Sequence, residues 1–295
     1  NGYAVYAGLE RFVSYLQNLR FTDTDIAYLR EHVGYDEGFL EYLKNFRFSG
    51  TIRSALEGDL VFANEPIVQV EGPLAECQLI ETALLNIVNF QTLIATKAAR
   101  LRYVCNDEPL MEFGSRRAQE MDAAIWGTRA AYIAGFNATS NVRAAKMFGI
   151  PASGTHAHSM VQVYRNDYDA FMAYAHSHKD CVFLVDTYDT LHSGLPHAIE
   201  AFRRELLPRG CRPKGVRIDS GDITYLSKRM RKMLDEAGFP DCSIVASNSL
   251  DEYIIRDMLI QGAKVDSFGV GERLITAASD PVFGGVYKLS AIETE

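Results

Sequence analysis

The spacing of apolar and polar positions changes character near residue 105. Before it, the pattern is mixed. "LERFVSYLQNL" spaces its apolar residues at helical intervals, and "FTDTDIAYLREH" offers Thr22 or Thr24 as a helix cap. "FSGTIRSALEGDLVFANEPIVQVEG" alternates between Gly and Pro stops, the pattern of antiparallel strands. A long helix is expected from about Leu74 to Leu101. From residue 110 onward a regular rhythm takes over: an apolar run, a polar or glycine stop, then a helical stretch. The runs are "PLMEFG", "FGIPASG", "CVFLVD", "GVRIDSG", "CSIVASN" and "VDSFGVG". Their later spacing of about thirty residues is that of a β-α-β unit. Successive units of this kind predict an α/β fold with parallel strands, either a β/α barrel or an open sheet. No GxGxxG follows a first strand and no P-loop motif is present.

Composition narrows the partners. A net charge of −8 argues against a nucleic-acid surface, although it leaves room for a local pocket for a phosphorylated metabolite. The five cysteines form no CxxC, and Cys105, Cys181 and Cys242 adjoin apolar runs, so buried free thiols in a reducing cytoplasm are expected. The longest apolar stretch, "LIETALLNIVNFQTLIATKAARL", is interrupted by Glu81, Asn86, Asn89, Gln91 and Lys97. It reads as a core helix, not a membrane span. The absence of an initiator Met and the end just after a strand-like run suggest a piece of a longer protein.

Parallel α/β folds bind ligands at the carboxyl ends of their strands. The runs end on Glu112-Phe113-Gly114-Ser115-Arg116-Arg117, Gly154-Thr155-His156-Ala157-His158, Asp186, Asp219-Ser220-Gly221-Asp222, Ser247-Asn248-Ser249 and Gly269-Val270-Gly271. Together these supply cations, carboxylates, imidazole and open glycine backbone, the groups that hold a phosphorylated sugar and a metal ion. Each also has a plainer reading: Arg116 and Arg117 as surface charges, Asp222 as a helix N-cap, Gly269 and Gly271 as a turn. His156 and His158 form an HxH of the kind that binds metal at a barrel strand end. A tightly held transition metal would need further histidines at later strand ends. Those ends carry Asp186, Asp219 and Asn248, a set better suited to Mg²⁺ arriving with a phosphate substrate near Asp219 and Asp222.

In their order and spacing, "EFGSRRAQ", "GTHAHS", "VDTYDT", "RIDSGD" and "GVGERLIT…FGGVYKL" resemble nicotinate phosphoribosyltransferases, of the type II phosphoribosyltransferase group. The resemblance implies an incomplete TIM-like β/α barrel over residues 106–278. It also implies a mixed α/β domain over residues 1–105, to which a strand in 279–295 returns. The implied reaction joins nicotinate to phosphoribosyl pyrophosphate, giving nicotinate mononucleotide and pyrophosphate. It is coupled to ATP hydrolysis, needs Mg²⁺ and serves NAD synthesis. A cytoplasmic homodimer with active sites at the subunit boundary is implied as well.

By the same resemblance, Phe113 packs on the pyridine ring, and Arg116 sits near the carboxylate or pyrophosphate. Thr139 and Ser140 of "GFNATSN" border the nicotinate pocket. His158 matches the histidine that ATP phosphorylates, Arg217 and Asp219 approach phosphate and ribose, and Gly269 and Gly271 cradle the 5′-phosphate. Asp222 and Asn248 complete the substrate-binding set, with His158 and Asp219 in catalytic roles. Glu272 stands where many relatives have Thr. An upstream family segment, with a tyrosine that stacks on the neighbouring chain's ligand, falls outside these 295 residues, as does the family's tail. Competing readings are a transferase acting on nicotinamide or quinolinate, a metal hydrolase built on His156 and His158, and a catalytically silent assembly partner.

Overall fold

A computed structural model describes residues 2–293. The chain forms two compact units, the larger taking residues 97–281 and the smaller joining the stretch up to Thr96 with that from Val282 onward. The division thus falls at Thr96, earlier than the boundary at residue 105 suggested by the sequence.

In the smaller unit, β1 (Ala4–Val5) pairs antiparallel with β3 (Leu60–Val61), and β2 (Thr51–Ser54) with β4 (Val68–Glu71). Helix Leu9–Asn18 buries Phe12 and Leu16, one turn apart on one face. Thr22, not Thr24, caps the next helix: its hydroxyl accepts the Asp25 N–H while the Asp25 carboxylate accepts the Thr22 N–H, a complete capping box. The expected long helix is two, Leu74–Leu79 and Glu81–Val104, interrupted at Ile80. Tyr6, Phe12, Ile80 and Leu84 form the core of this unit. The expected strand in 279–295 is absent from the described residues. Neither antiparallel ladder extends to that segment, and Gly284 and Gly285 offer no side chains to a pleated face. It is held instead by side chains, with Phe283 and Tyr287 packed on the core and the Tyr287 hydroxyl donating to the Cys77 carbonyl at 3.1 Å.

The larger unit holds six parallel strands: β5 (Leu110–Glu112), β6 (Ala138–Thr139), β7 (Val182–Leu184), β8 (Gly215–Ile218), β9 (Ser243–Ala246) and β10 (Ser267–Val270). Their spatial order is β6-β5-β10-β9-β8-β7. Read as a circle, this is chain order with one opening, between β6 and β7. A doubly wound sheet would reverse direction partway; this one is a barrel left incomplete. Helices such as Glu120–Ile133, Ile223–Glu236 and Glu252–Ile260 connect the strands. All three residues of β5 and all four of β10 are buried, as continuous apolar runs predict for parallel strands.

One run behaves differently. "FGIPASG" forms no strand, and β6 lies in "GFNATSN" instead. Ala152 of the expected run makes only a parallel bridge to Thr139, so it occupies the opening without filling it. Pro151 has no N–H to give a ladder, and Gly149 takes a left-handed φ of 68° to end the preceding helix, which leaves too little extended chain. The polar Lys97 in the apolar helix is also explained: it is buried and its Nζ meets Glu252 Oε2 at 2.6 Å. Cys105, Cys181 and Cys242 are free and buried as expected. Burial pushes their thiols up, to about 11, 11 and 12. No described helix is long and apolar enough to cross a membrane.

Candidate active site

The carboxyl ends of the six strands gather the residues singled out in the sequence. On one side, β7, β8 and β9 end in a closed polar network. Asp186, just past β7, has a side chain only 1% exposed. Its Oδ2 accepts the Asp219 N–H at 2.8 Å and the Ser220 hydroxyl at 2.6 Å. Arg217 and Asp219, two apart at the end of β8, turn to the same side. The Arg217 guanidinium donates to Ser247 Oγ at 2.8 Å, Thr155 Oγ1 at 2.8 Å and Asp219 Oδ1 at 3.0 Å. Ser247 also donates to Asp219 Oδ1. Each charge here has a fixed partner.

The two histidines diverge. His156 is buried against Phe171, Tyr174 and Phe183. Its Nε2 accepts the Leu184 N–H at 3.1 Å, which places the ring proton on Nδ1, facing the Ala157 carbonyl. Burial pushes its pKa down to about 4, with smaller contributions from Arg217 and His158, so the ring is neutral. His158 opens helix His158–Val163 and is about one-third exposed. Its Nε2 lies 3.2 Å from Asp186 Oδ1. A carboxylate oxygen accepts, so Nε2 carries the proton, and Nδ1 makes no hydrogen bond among the described residues. The HxH therefore does not converge on a metal. Among the described residues no group of three or more His, Cys, Asp or Glu is placed to hold one.

The other side, formed by β5, β6 and β10, is more open. Phe113 follows β5, and its N–H donates to the Val270 carbonyl at 2.8 Å. Its ring lies directly on Gly269, where a Cβ would come within 2.4 Å of a ring carbon. The Arg217 guanidinium stands 5.5 Å from the ring centroid. Gly269 is thus inside β10 making room for Phe113, and only Gly271 lies beyond the strand. Arg116 is exposed on the turn Ser115–Arg117 without an ion-pair partner among the described residues, whereas Arg117 pairs with Glu272 at 3.6 Å. Ser140 is exposed just past β6, but Thr139 faces inward, fully buried, its hydroxyl donating to Glu112 Oε2 at 2.7 Å.

Two candidates take plainer places. Asp222 is the N-cap of helix Ile223–Glu236, accepting the Tyr225 N–H at 2.9 Å. Asn248 is exposed with φ 93°, and Ser249 follows at φ 50°. Successive left-handed residues at a strand end are the kind of backbone cost that functional loops carry. Conversely, Glu112, Asp186 and Ser247 stood among the strand-end residues of the sequence without an individual role, and the structure makes each a central partner. Burial raises the Glu112 pKa, against the donors that oppose the shift.

The structure is thus an incomplete parallel α/β barrel with a paired carboxylate–guanidinium network and a half-buried aromatic ring at its strand ends, the edge where parallel α/β folds bind ligands. Residues 1–89 match the model of the nicotinate phosphoribosyltransferase N-terminal domain, and residues 109–295 that of the nicotinate phosphoribosyltransferase family. The chain belongs to the nicotinate phosphoribosyltransferase family. It is 61% identical to a nicotinate phosphoribosyltransferase of Bacillus subtilis, over 100% of this chain and 60% of that one. It is 42% identical to one of Mycobacterium tuberculosis, over 99% of this chain and 62% of that one. The crystal structure of human nicotinic acid phosphoribosyltransferase superposes with a TM-score of 0.84 at 30% identity, covering 92% of this chain and 65% of that one. The chain thus spans about three-fifths of the length of these curated relatives.

Proposed function

We propose that this chain carries the catalytic barrel of a nicotinate phosphoribosyltransferase. The pyridine nitrogen of nicotinate attacks C1 of phosphoribosyl pyrophosphate. The C1–O bond to pyrophosphate breaks and nicotinate mononucleotide forms. The observation that carries this reading is the contrast along one strand edge: a half-buried Phe113 ring and an exposed Arg116 with no ion-pair partner among the described residues, beside an Asp219 already fixed by Arg217 and Ser247.

The nitrogen brings its own lone pair, so the reaction needs positioning and charge stabilisation more than a strong base. Phe113 stacks the ring, and Arg116 and Ser140 meet its carboxylate. Asp219 faces the positive character that develops on the ribose, and Gly271 offers open backbone to the 5′-phosphate. Oδ2 of Asp219 and of Asp222 accepts no hydrogen bond within the described residues. That leaves room for water-bridged Mg²⁺ carried in by pyrophosphate, which would offset charge on the leaving group.

His158 is the acceptor of the ATP γ-phosphate. Its free Nδ1 attacks phosphorus, ADP leaves, and the phosphohistidine is later hydrolysed. Asp186 holds the imidazole in the nucleophilic tautomer. The protein acts as a homodimer in the cytoplasm. Purified protein supplied with nicotinate, phosphoribosyl pyrophosphate and Mg²⁺, with and without ATP, forms nicotinate mononucleotide, and ATP raises the yield. Labelled ATP leaves acid-labile, base-stable phosphate that His158→Ala abolishes and His156→Ala largely keeps. Absence of the mononucleotide refutes the transferase reading, and undiminished label in His158→Ala refutes the phosphoacceptor.

A further inference from the structure

Glu112 ends β5 with a side chain that the proposed chemistry does not use and that is almost wholly buried, at 1% exposure. A buried carboxylate is costly unless donors surround it, so its donors show what it holds. The Gly114 N–H donates to Oε1, fixing the turn that carries Phe113 and Arg116. Thr139 Oγ1 donates to Oε2 at 2.7 Å and itself accepts the Asn141 N–H at 2.9 Å, so the turn presenting Ser140 hangs from the same carboxylate. The Thr128 hydroxyl, on helix Glu120–Ile133, lies 3.0 Å from Oε2. The Glu112 carbonyl also accepts the Ser140 N–H at 3.0 Å. Both turns of the open side are therefore referred to one residue.

We propose that Glu112 is a positioning residue for the pyridine half of the site, setting the spacing between the Phe113–Arg116 turn and the Ser140 turn and so the slot that admits a flat heteroaromatic carboxylate. The inference rests on the functional reading above. Glutamine keeps the shape of the side chain but replaces one acceptor oxygen with a donor. Its oxygen can keep the Gly114 N–H, but its amide can only donate toward Thr139, whose hydroxyl proton then loses its acceptor, so the Ser140 turn is loosened while the polar network around Asp219 stays intact.

The test is Glu112→Gln in the full protein, with Thr139→Val beside it to remove the same hydrogen bond from the other end. In each, KM for nicotinate rises by about tenfold, a misplacement effect, while KM for phosphoribosyl pyrophosphate stays within about twofold. Amide hydrogen exchange quickens in residues 139–141 and not in residues 215–219. If Glu112→Gln fails to fold, Thr139→Val carries the same expectations. Equal rises in both KM values, or unchanged exchange in residues 139–141, overturns the proposal. If the unmodified protein makes no mononucleotide, the functional reading fails separately, and the exchange measurement alone decides whether Glu112 holds the Ser140 turn.

Discussion

The two sides of the strand-end edge are finished in opposite ways. Past β7, β8 and β9, the groups around Asp186, Arg217, Asp219 and Ser247 are matched donor to acceptor. Past β5, β6 and β10, the Phe113 ring is half-buried beside Arg217, Arg116 is exposed with no ion-pair partner among the described residues, and the buried Glu112 carboxylate accepts from Thr139. A matched network is fixed before any ligand arrives, which is what stabilising a developing charge requires. An aromatic ring beside an exposed cation is what a flat anion needs for binding. On the proposed function, the same edge separates transition-state work from ground-state recognition.

Breaking the matched side has the largest expected effect. Asp219→Asn keeps the shape and removes the charge; kcat falls by about a hundredfold to a thousandfold, the scale of losing one preorganised group. The melting temperature, followed by circular dichroism, shifts little by comparison. A near-normal kcat would mean that Asp219 does not face the reacting sugar.

On the open side, Ser140→Asp sets a carboxylate against a carboxylate. Like charges at an exposed position cost about 1.4 to 2.7 kcal/mol, so kcat/KM for nicotinate falls by about tenfold to a hundredfold. Unchanged nicotinate use would remove Ser140 from the pocket. Gly269→Ala is subtler. The new methyl collides with the Phe113 ring, so KM for nicotinate rises by roughly severalfold through displaced stacking, with kcat less affected. An unchanged KM would show that the ring's seat on Gly269 is immaterial.

The smallest effect separates the histidines. The unfolded His156 imidazole titrates near 6.5 and the folded one near 4. Between those values the unfolded chain binds more protons, so stability is full above 6.5 and declines as pH falls toward 4. The contribution is at most about 1.4 kcal/mol per pH unit. His156→Gln, which retains an acceptor for the Leu184 N–H, flattens that part of the pH–stability curve, measured by urea denaturation at stepped pH. An unchanged slope would place His156 in contact with water.

The parallel α/β architecture was legible because strands buried on both faces read as apolar runs whose stops fall at the ligand-binding edge; the choice of a barrel over an open sheet came from the family resemblance. The spacing of Arg217 and Asp219 by two already set them on one side. What the sequence hid depends on partners far along the chain. Pro151 and Gly149 shorten a run that periodicity alone reads as a strand, while β6 is too short to show a period. Glu112 looks like any acidic residue until Thr128, Thr139 and the Gly114 N–H are folded around it. His156 and His158 are indistinguishable by spacing. Only the aromatic packing around one and the Asp186 carboxylate beside the other tell them apart.

The division of labour is tested most directly by a crystal structure of the protein with nicotinate mononucleotide bound. The pyridine ring is expected against Phe113, its carboxylate toward Arg116 and Ser140, the ribose beside Asp219 and the phosphate at the Gly271 backbone. A nucleotide bound in the reverse sense, with its phosphate at Arg116 and its ring over Asp219, or one bound away from this edge, would contradict it.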